Sequence, residues 1–311
     1  MIIHNGVKSF SALHSSVVTI GNFDGLHRGH QELIQKVLRL SKEKKAESVV
    51  MTFEPHPAKV LFPEKKLNRI FPLKDQEEIL ASWGIDHYIV EPFSRALSEL
   101  HRDEFLLDWI LKPLNPASLV VGYDFSFGSN REGNTSFLQE KSKDLNLDLH
   151  VVPPFKIENE IVSSSVIRKL IADAKISKAN DFLGRKFYLQ GVVEKGAERG
   201  RKIGFPTANI YSPAETYPAK GVYACNVYHD GAKYIGVTNV GNNPTFEEIT
   251  KRPIQVEVHI LNFDKFIYGE DLRVEFLEYI RGEKRFSGVA ELVEQIKKDV
   301  SYVRDKYAKM G

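Results

Sequence analysis

The first half of the chain repeats one pattern. A short run of β-branched and apolar residues gives way to a longer segment with apolar residues every three or four positions. The short runs are SSVVTIGNF, ESVVMTFEP, DHYIVEPF, ASLVVGYDF and DLHVVPPF. Strand-length runs alternating with helical periodicity predict βαβ units around a mostly parallel sheet. Between the first two runs, HQELIQKVLRL brings Leu33, Ile34, Val37 and Leu38 to one helical face. KDQEEILASWG closes on a glycine suited to a helix C-terminus, and SKEKKAE reads as a solvated helix end.

After SSSVIRKLIADAKISKANDFLGRKF the pattern changes. FYLQGVVEKG, GVYACNVYHDGAKYIGVTNVG, IQVEVHILNF and LRVEFLEYI follow one another with Gly, Pro and Asn turns in place of long helices. HDGAK inside an alternating run predicts a hairpin, and several such strands predict a small antiparallel barrel. The chain closes on a helix whose Val289, Leu292, Val293, Ile296, Val300 and Val303 form an apolar stripe. The expected architecture is α/β: a Rossmann-like domain over 1–184 and a β-barrel domain with a terminal helix over 185–311, the boundary falling near Gly184.

Composition narrows the functional classes. In 311 residues, apolar and charged fractions of 42% and 27% are those of a globular protein, and 43 basic against 41 acidic residues give a net charge of +2. That balance supplies no strong field for nucleic acid or anionic membrane, so the expected partners are small molecules, with room for weak self-association. The single cysteine, Cys225, excludes an internal disulfide and a Cys-based zinc site, and its apolar neighbours predict a core thiol. MIIHNGVKSF lacks the features of an export signal, and no apolar run approaches the ~20 residues of a membrane span. The expected location is cytoplasmic.

Against this background TIGNFDGLHRGH stands out. A strand runs out, two glycines allow a tight turn, and a helix begins near Gly29. Ligands of open α/β sheets bind beyond the carboxyl ends of the strands, and a helix N-terminus favours phosphate. His27 and His30 at that point can donate to phosphoryl oxygens as charge builds on them. A zinc pair would want i, i+4 spacing with a further ligand, whereas these histidines are i, i+3 across a turn.

H-x-G-H in this setting resembles the signature of nucleotidylyltransferases and class I aminoacyl-tRNA synthetases. The longer GNFDGLHRGH, with TFEPHP, VGYDFSFG and VSSSVIR, resembles the adenylyltransferase module of prokaryotic bifunctional riboflavin kinase/FMN adenylyltransferases. The resemblance implies joining FMN to the α-phosphate of ATP, with Mg²⁺, to give FAD and pyrophosphate. It places Asn22, Phe23, Asp24 and Gly25 with His27 and His30 on the ATP side, and Ser163, Ser164 and Arg168 on its outer phosphates. Asp124, Phe125 and Phe127 are placed to meet the flavin, a plain core role competing for the aromatics. Val166 stands where the family often has a basic residue, which leaves Arg168 as the surer phosphate ligand.

In KGAERGRKIGFPTANI, Gly196, Gly200 and Gly204 let backbone N–H groups approach phosphate, with Arg201 beside them. This is not a Walker loop. Followed by PAKGVYA, GVTNVGNNPTF, VEVHILNFDKFIYG and EYIRGEKRF, it resembles the riboflavin kinases. The resemblance implies ATP and Mg²⁺ bound by Thr207 and Asn209, and Glu257 as general base toward riboflavin, with Glu275 competing by pattern alone. Arg281 and Phe286 would close over the flavin or serve packing. Together the two halves imply a bifunctional enzyme making FMN and then FAD. The alternatives are a riboflavin kinase with an inactive, flavin-binding first domain, and a class I synthetase-like RNA enzyme, whose KMSKS loop is absent.

Overall fold

The computed structural model describes residues 1–196, 198–242 and 254–307. Its contacts divide into two compact units, Met1–Ser164 and Ser165–Gly311.

The first unit is built on six parallel strands, β1 (Ile2–His4), β2 (Ser16–Ile20), β3 (Glu47–Glu54), β4 (His87–Pro92), β5 (Pro116–Gly122) and β6 (Asp148–Val152), in the order β1-β4-β3-β2-β5-β6. Every residue of β2 is buried, as expected of a central strand covered on both faces. Its alternation sends Val18 and Ile20 to one core, with Phe105 and Ile110, and Val17 to the other. That second core takes Ile34 and Val37 from α1 (Arg28–Lys44) and Leu80 from α2 (Leu73–Trp83). Gly84 ends α2 at φ 85°, a C-cap glycine in the left-handed region. The order reverses between β2 and β5, so the loop after β2 lies at a topological switch point.

The five strands read from the sequence are present, and the edge strand β1 is an addition. Its three residues are too few for a period to show. A π-helical stretch, Leu106–Leu111, likewise carries no sequence signal.

The second unit is a closed antiparallel barrel of β7 (Tyr188–Glu194), β8 (Ala208–Tyr211), β9 (Gly221–His229), β10 (Ala232–Asn242), β11 (Ile254–Ile260) and β12 (Asp271–Arg281), in the order β7-β8-β11-β10-β9-β12. The expected hairpin joins β9 to β10 through Asp230 and Gly231, both at positive φ (48° and 73°), as a type I′ turn requires. Cys225 is fully buried beside Thr238 Oγ1 (2.8 Å), and burial pushes its thiol up to about 12.

Two helices precede the barrel, α3 (Ser164–Ala172) and α4 (Ile176–Leu183). The unit division at Ser164/Ser165 therefore lies ahead of Gly184, because these helices are tied to the barrel. Asn180 donates to the carbonyl of Phe276 (2.9 Å) and accepts from Phe187 N–H (2.7 Å). The terminal helix α5 (Val289–Tyr307) packs Val300 and Val303 against Val222, Ala224 and Val237. The expected stripe is only partly used: Val289 is 62% exposed, and Asp299 is buried because Arg281 pairs with it (2.7 Å).

Candidate functional sites

The loop from β2 to α1 is held by unusual backbone. Phe23, Gly25 and Leu26 lie at φ 47°, 83° and 42°. At Gly25 an added Cβ would come within 2.8 Å of Ile70, so only glycine fits both the conformation and the space. Phe23 and Leu26 are consequently turned into the core, and Asp24 is buried, its Oδ1 accepting from Ile70 N–H (2.9 Å). This revises the sequence reading: the side chains of Phe23 and Asp24 shape the loop, and Asn22 is the exposed member of the group. Ser164 donates its hydroxyl proton to the carbonyl of Asp24 (2.8 Å), tying VSSSVIR to GNFDG.

His27 is the N-cap of α1, which begins at Arg28. Its Nδ1 accepts from His30 N–H (3.4 Å), so the neutral ring carries its proton on Nε2 and can donate there. The rings of His27 and His30 stack at 3.6 Å and 18°, with Phe23 edge-on to His30 at 5.3 Å. Two imidazoles are thus fixed at the N-terminus of a 17-residue helix, where backbone N–H groups and the dipole favour an anion. Arg168 lies on α3, its Nη2 donating to Ser165 Oγ (3.4 Å).

The flavin candidates of this unit divide. Phe127 is buried among Phe105, Phe125 and Phe137, with centroids 5.3–6.1 Å apart, which is a core role. Phe125 is half-buried and Asp124 exposed.

On the barrel, strand register brings the kinase candidates together. Asn209 on β8 lies directly opposite Glu257 on β11, and Asn239 on β10 flanks Glu257 from the other side. Thr207 lies immediately before β8. Gln255 Nε2 reaches both Asn209 Oδ1 (2.6 Å) and Glu257 Oε1 (2.9 Å). A Cβ on Gly196 would collide with the Asn209 amide, and one on Gly200 with the Phe205 carbonyl. Gly200 is required by this close approach of backbone, whereas Gly196 faces a side chain. Next on this face, His259 donates from Nδ1 to the carbonyl of Pro206 (2.8 Å), and burial pushes its pKa down. Thr207 also borders a cavity of about 180 Å³, lined further by Glu198, Arg201, Val258 and the segment Phe263–Tyr268. Arg201 stacks on the exposed Phe266 ring at 4.2 Å. Gly204 adopts φ 86° in the turn before β8.

Glu275 has a different setting. It accepts from Arg273 (2.9 Å), Tyr228 (3.1 Å) and Asn226 (3.4 Å) on β9 and β12, away from β8 and β11. Arg281 grips Asp299 with Nε and Nη2, and its guanidinium lies 6.0 Å from the Phe286 ring. Thr207 and Asn209 offer hydroxyl and amide oxygens, hard ligands of the kind Mg²⁺ accepts alongside water and phosphate.

Comparison with known proteins matches each half of the chain to a different family model. A family model described as FAD synthetase matches residues 9–166, and one described as riboflavin kinase matches 183–307. The bifunctional riboflavin kinase/FMN adenylyltransferase of Escherichia coli K12 is 36% identical over 97% of this chain and 96% of its own length. The chain belongs to the bifunctional riboflavin kinase/FMN adenylyltransferase family. The Bacillus subtilis relative of the same name is 35% identical over 95% of this chain and 93% of its own. A solved structure described as a macrolide-efflux protein from Streptococcus pneumoniae has a TM-score of 0.89 at 33% identity, covering 97% of this chain and 98% of that one. Efflux is said of that protein. Among the described residues of this family member, no helix is long and apolar enough to cross a membrane.

Two features escaped the sequence reading. The Phe263–Tyr268 wall of the cavity lies in VEVHILNFDKFIYG, a stretch whose resemblance singles out only Glu257. Gln255 gave its signal in spacing: two residues before a candidate base on an alternating strand is the same face.

Proposed function

We infer that the chain is a two-site flavin-cofactor enzyme, its barrel unit phosphorylating riboflavin to FMN and its sheet unit adenylylating FMN to FAD. The observation that carries this reading is one phosphate-handling constellation in each unit, the His27/His30 stack and the Asn209/Glu257 pair.

In the barrel, the riboflavin 5′-hydroxyl attacks the γ-phosphorus of ATP. The new O–P bond forms as the bond from γ-phosphorus to the bridging oxygen breaks, ADP leaves, and the hydroxyl proton passes to the Glu257 carboxylate. Glu275 is less suited, since three donors already occupy it. Thr207 and Asn209 would hold Mg²⁺, which when bound supplies neutralisation of phosphate charge. The glycines at 196, 200 and 204 and the side chain of Arg201 line the ATP phosphates, and Arg281, held in place by Asp299, borders the flavin with Phe286.

In the sheet unit, an FMN phosphate oxygen attacks the α-phosphorus of ATP and pyrophosphate departs. A phosphate is already nucleophilic, so no base is required, and the task is charge neutralisation and alignment. His27 and His30 donate to the reacting phosphoryl oxygens, with the backbone of Asn22–Gly25, Ser163, Ser164 and Arg168 completing the ATP contacts. Phe125 and Asp124 meet the flavin. Both reactions draw on ATP, and we place the enzyme in the cytoplasm, where ATP is supplied.

The test is one incubation of the purified protein with riboflavin, ATP and Mg²⁺, the flavins resolved chromatographically. FMN should appear first and FAD follow. Product that stops at FMN would overturn the adenylylation half.

A further inference from the structure

We propose that Gln255 is a positioning residue of the kinase site, a two-pronged donor that fixes the Glu257 carboxylate and the Asn209 amide at once. The inference rests on the reading of Glu257 as proton acceptor and Asn209 as a Mg²⁺ ligand.

Glu257 and Asn209 face one another across β8 and β11, and the atoms each would use in the reaction are both oxygens. Two acceptors side by side repel, and neither can orient the other. The Gln255 amide nitrogen carries two hydrogens, and it stands 2.6 Å from Asn209 Oδ1 and 2.9 Å from Glu257 Oε1. Both bonds are therefore made together. Three consequences follow from this arrangement. Oε1 accepts a hydrogen bond from Gln255, which restrains rotation of the carboxylate. Asn209 is held with its oxygen toward the reacting face, and that oxygen keeps a second lone pair for a cation. Its amide nitrogen is directed to the side where the backbone of Gly196 approaches.

Without Gln255 the favourable rearrangement is a flip of Asn209, so that its NH₂ group donates directly to Glu257. That flip satisfies both residues and removes the amide oxygen from the place where a cation would use it. Gln255 thus acts by preventing a hydrogen bond between its two neighbours as much as by making its own.

The experiment uses the full chain. Gln255→Met keeps the length and removes both donors, and Gln255→Glu replaces the donor with an acceptor. Riboflavin kinase kcat should fall roughly 10- to 100-fold in the Met variant and further in the Glu variant, while KM for riboflavin stays within about threefold. The Mg²⁺ concentration giving half of the ADP-induced rise in melting temperature should increase at least about threefold, a binding readout independent of turnover. FMN adenylylation should be unchanged. In a Glu257→Gln background, Gln255→Met should cost little more, because the two act as a unit. If the Met variant fails to fold, Gln255→Asn, too short to span both oxygens, carries the same test. A Met or Asn variant with kinase kcat and Mg²⁺ midpoint both within threefold of the parent would overturn the proposal. Should Glu257→Ala itself retain kinase activity, the failure belongs to the reading of the base, and the proposal falls with it.

Discussion

On the proposed reading, the two units meet the same ligand, ATP, with opposite structural means. The sheet unit presents the end of a helix, and its loop spends Phe23, Asp24 and Leu26 on holding the backbone in place, leaving stacked histidines at the mouth. The barrel unit sets individual side chains in register on neighbouring strands. The difference follows the chemistry. A nucleophile that is already an anion needs a fixed positive field, which a helix terminus and imidazoles supply. A hydroxyl nucleophile needs a carboxylate at a defined point, which strand pairing supplies to within the spacing of the ladder.

Substitutions should separate the two designs. The largest effect is expected from Glu257→Ala, which should lower FMN formation by roughly 10²- to 10⁴-fold and leave conversion of added FMN to FAD intact. Loss of both activities in a folded protein, followed by chromatography of the flavins, would break the comparison. His30→Ala should lower adenylylation by roughly 10²- to 10³-fold with kinase turnover unchanged, since it removes one donor from a preorganised field. An unaffected FAD rate would remove the residue from the site.

Glu275→Gln sharpens the contrast within the barrel. It should leave kinase kcat within about threefold of the parent, while the loss of charged acceptance from Arg273 and Tyr228 lowers unfolding free energy by about 1–2 kcal/mol in a denaturant titration. A collapse of kcat instead would make Glu275 the base.

The smallest effect concerns the edge of the sheet unit. Burial alone would raise the Asp148 carboxyl, and hydrogen bonds from Lys44, Ser118 and His150 outweigh it and hold it at about 2. Because the folded value is depressed below the ordinary ~3.9, the group stabilises the fold above that pH and the contribution is lost as pH falls toward the folded value. The side chain is 40% exposed, so solvent screening keeps the effect small. Asp148→Asn should lower the melting temperature slightly at pH 6, with the gap to the parent closing between about pH 4 and 2.

Sequence periodicity revealed the elements with enough residues to show a period. β2 to β6 and the barrel strands each carry several alternating or buried positions, and Asp230-Gly231 announces its turn chemically. β1 has only three residues and owes its place to pairing with β4. At the candidate sites, strand-turn-helix context singles out His27 and His30, and motif resemblance singles out Asn209 and Glu257; the structure stacks the first two rings and sets the second two opposite one another. Context and motif could not show that positive φ values turn Phe23 inward, that Phe127 joins an aromatic core, or that Arg281 is claimed by Asp299. Those outcomes depend on backbone conformation and on partners distant in sequence, neither of which a local pattern records.

Asn180 has a practical consequence for anyone dividing the protein. A kinase fragment begun at Gly184 would strip away the amide that satisfies the Phe276 carbonyl and the Phe187 N–H. Each polar group left buried without a partner costs about 1–3 kcal/mol, enough together to erode a small barrel's stability. A fragment begun at Ser165 retains the amide, and of the two it is the one expected to give a well-folded, separately expressible kinase.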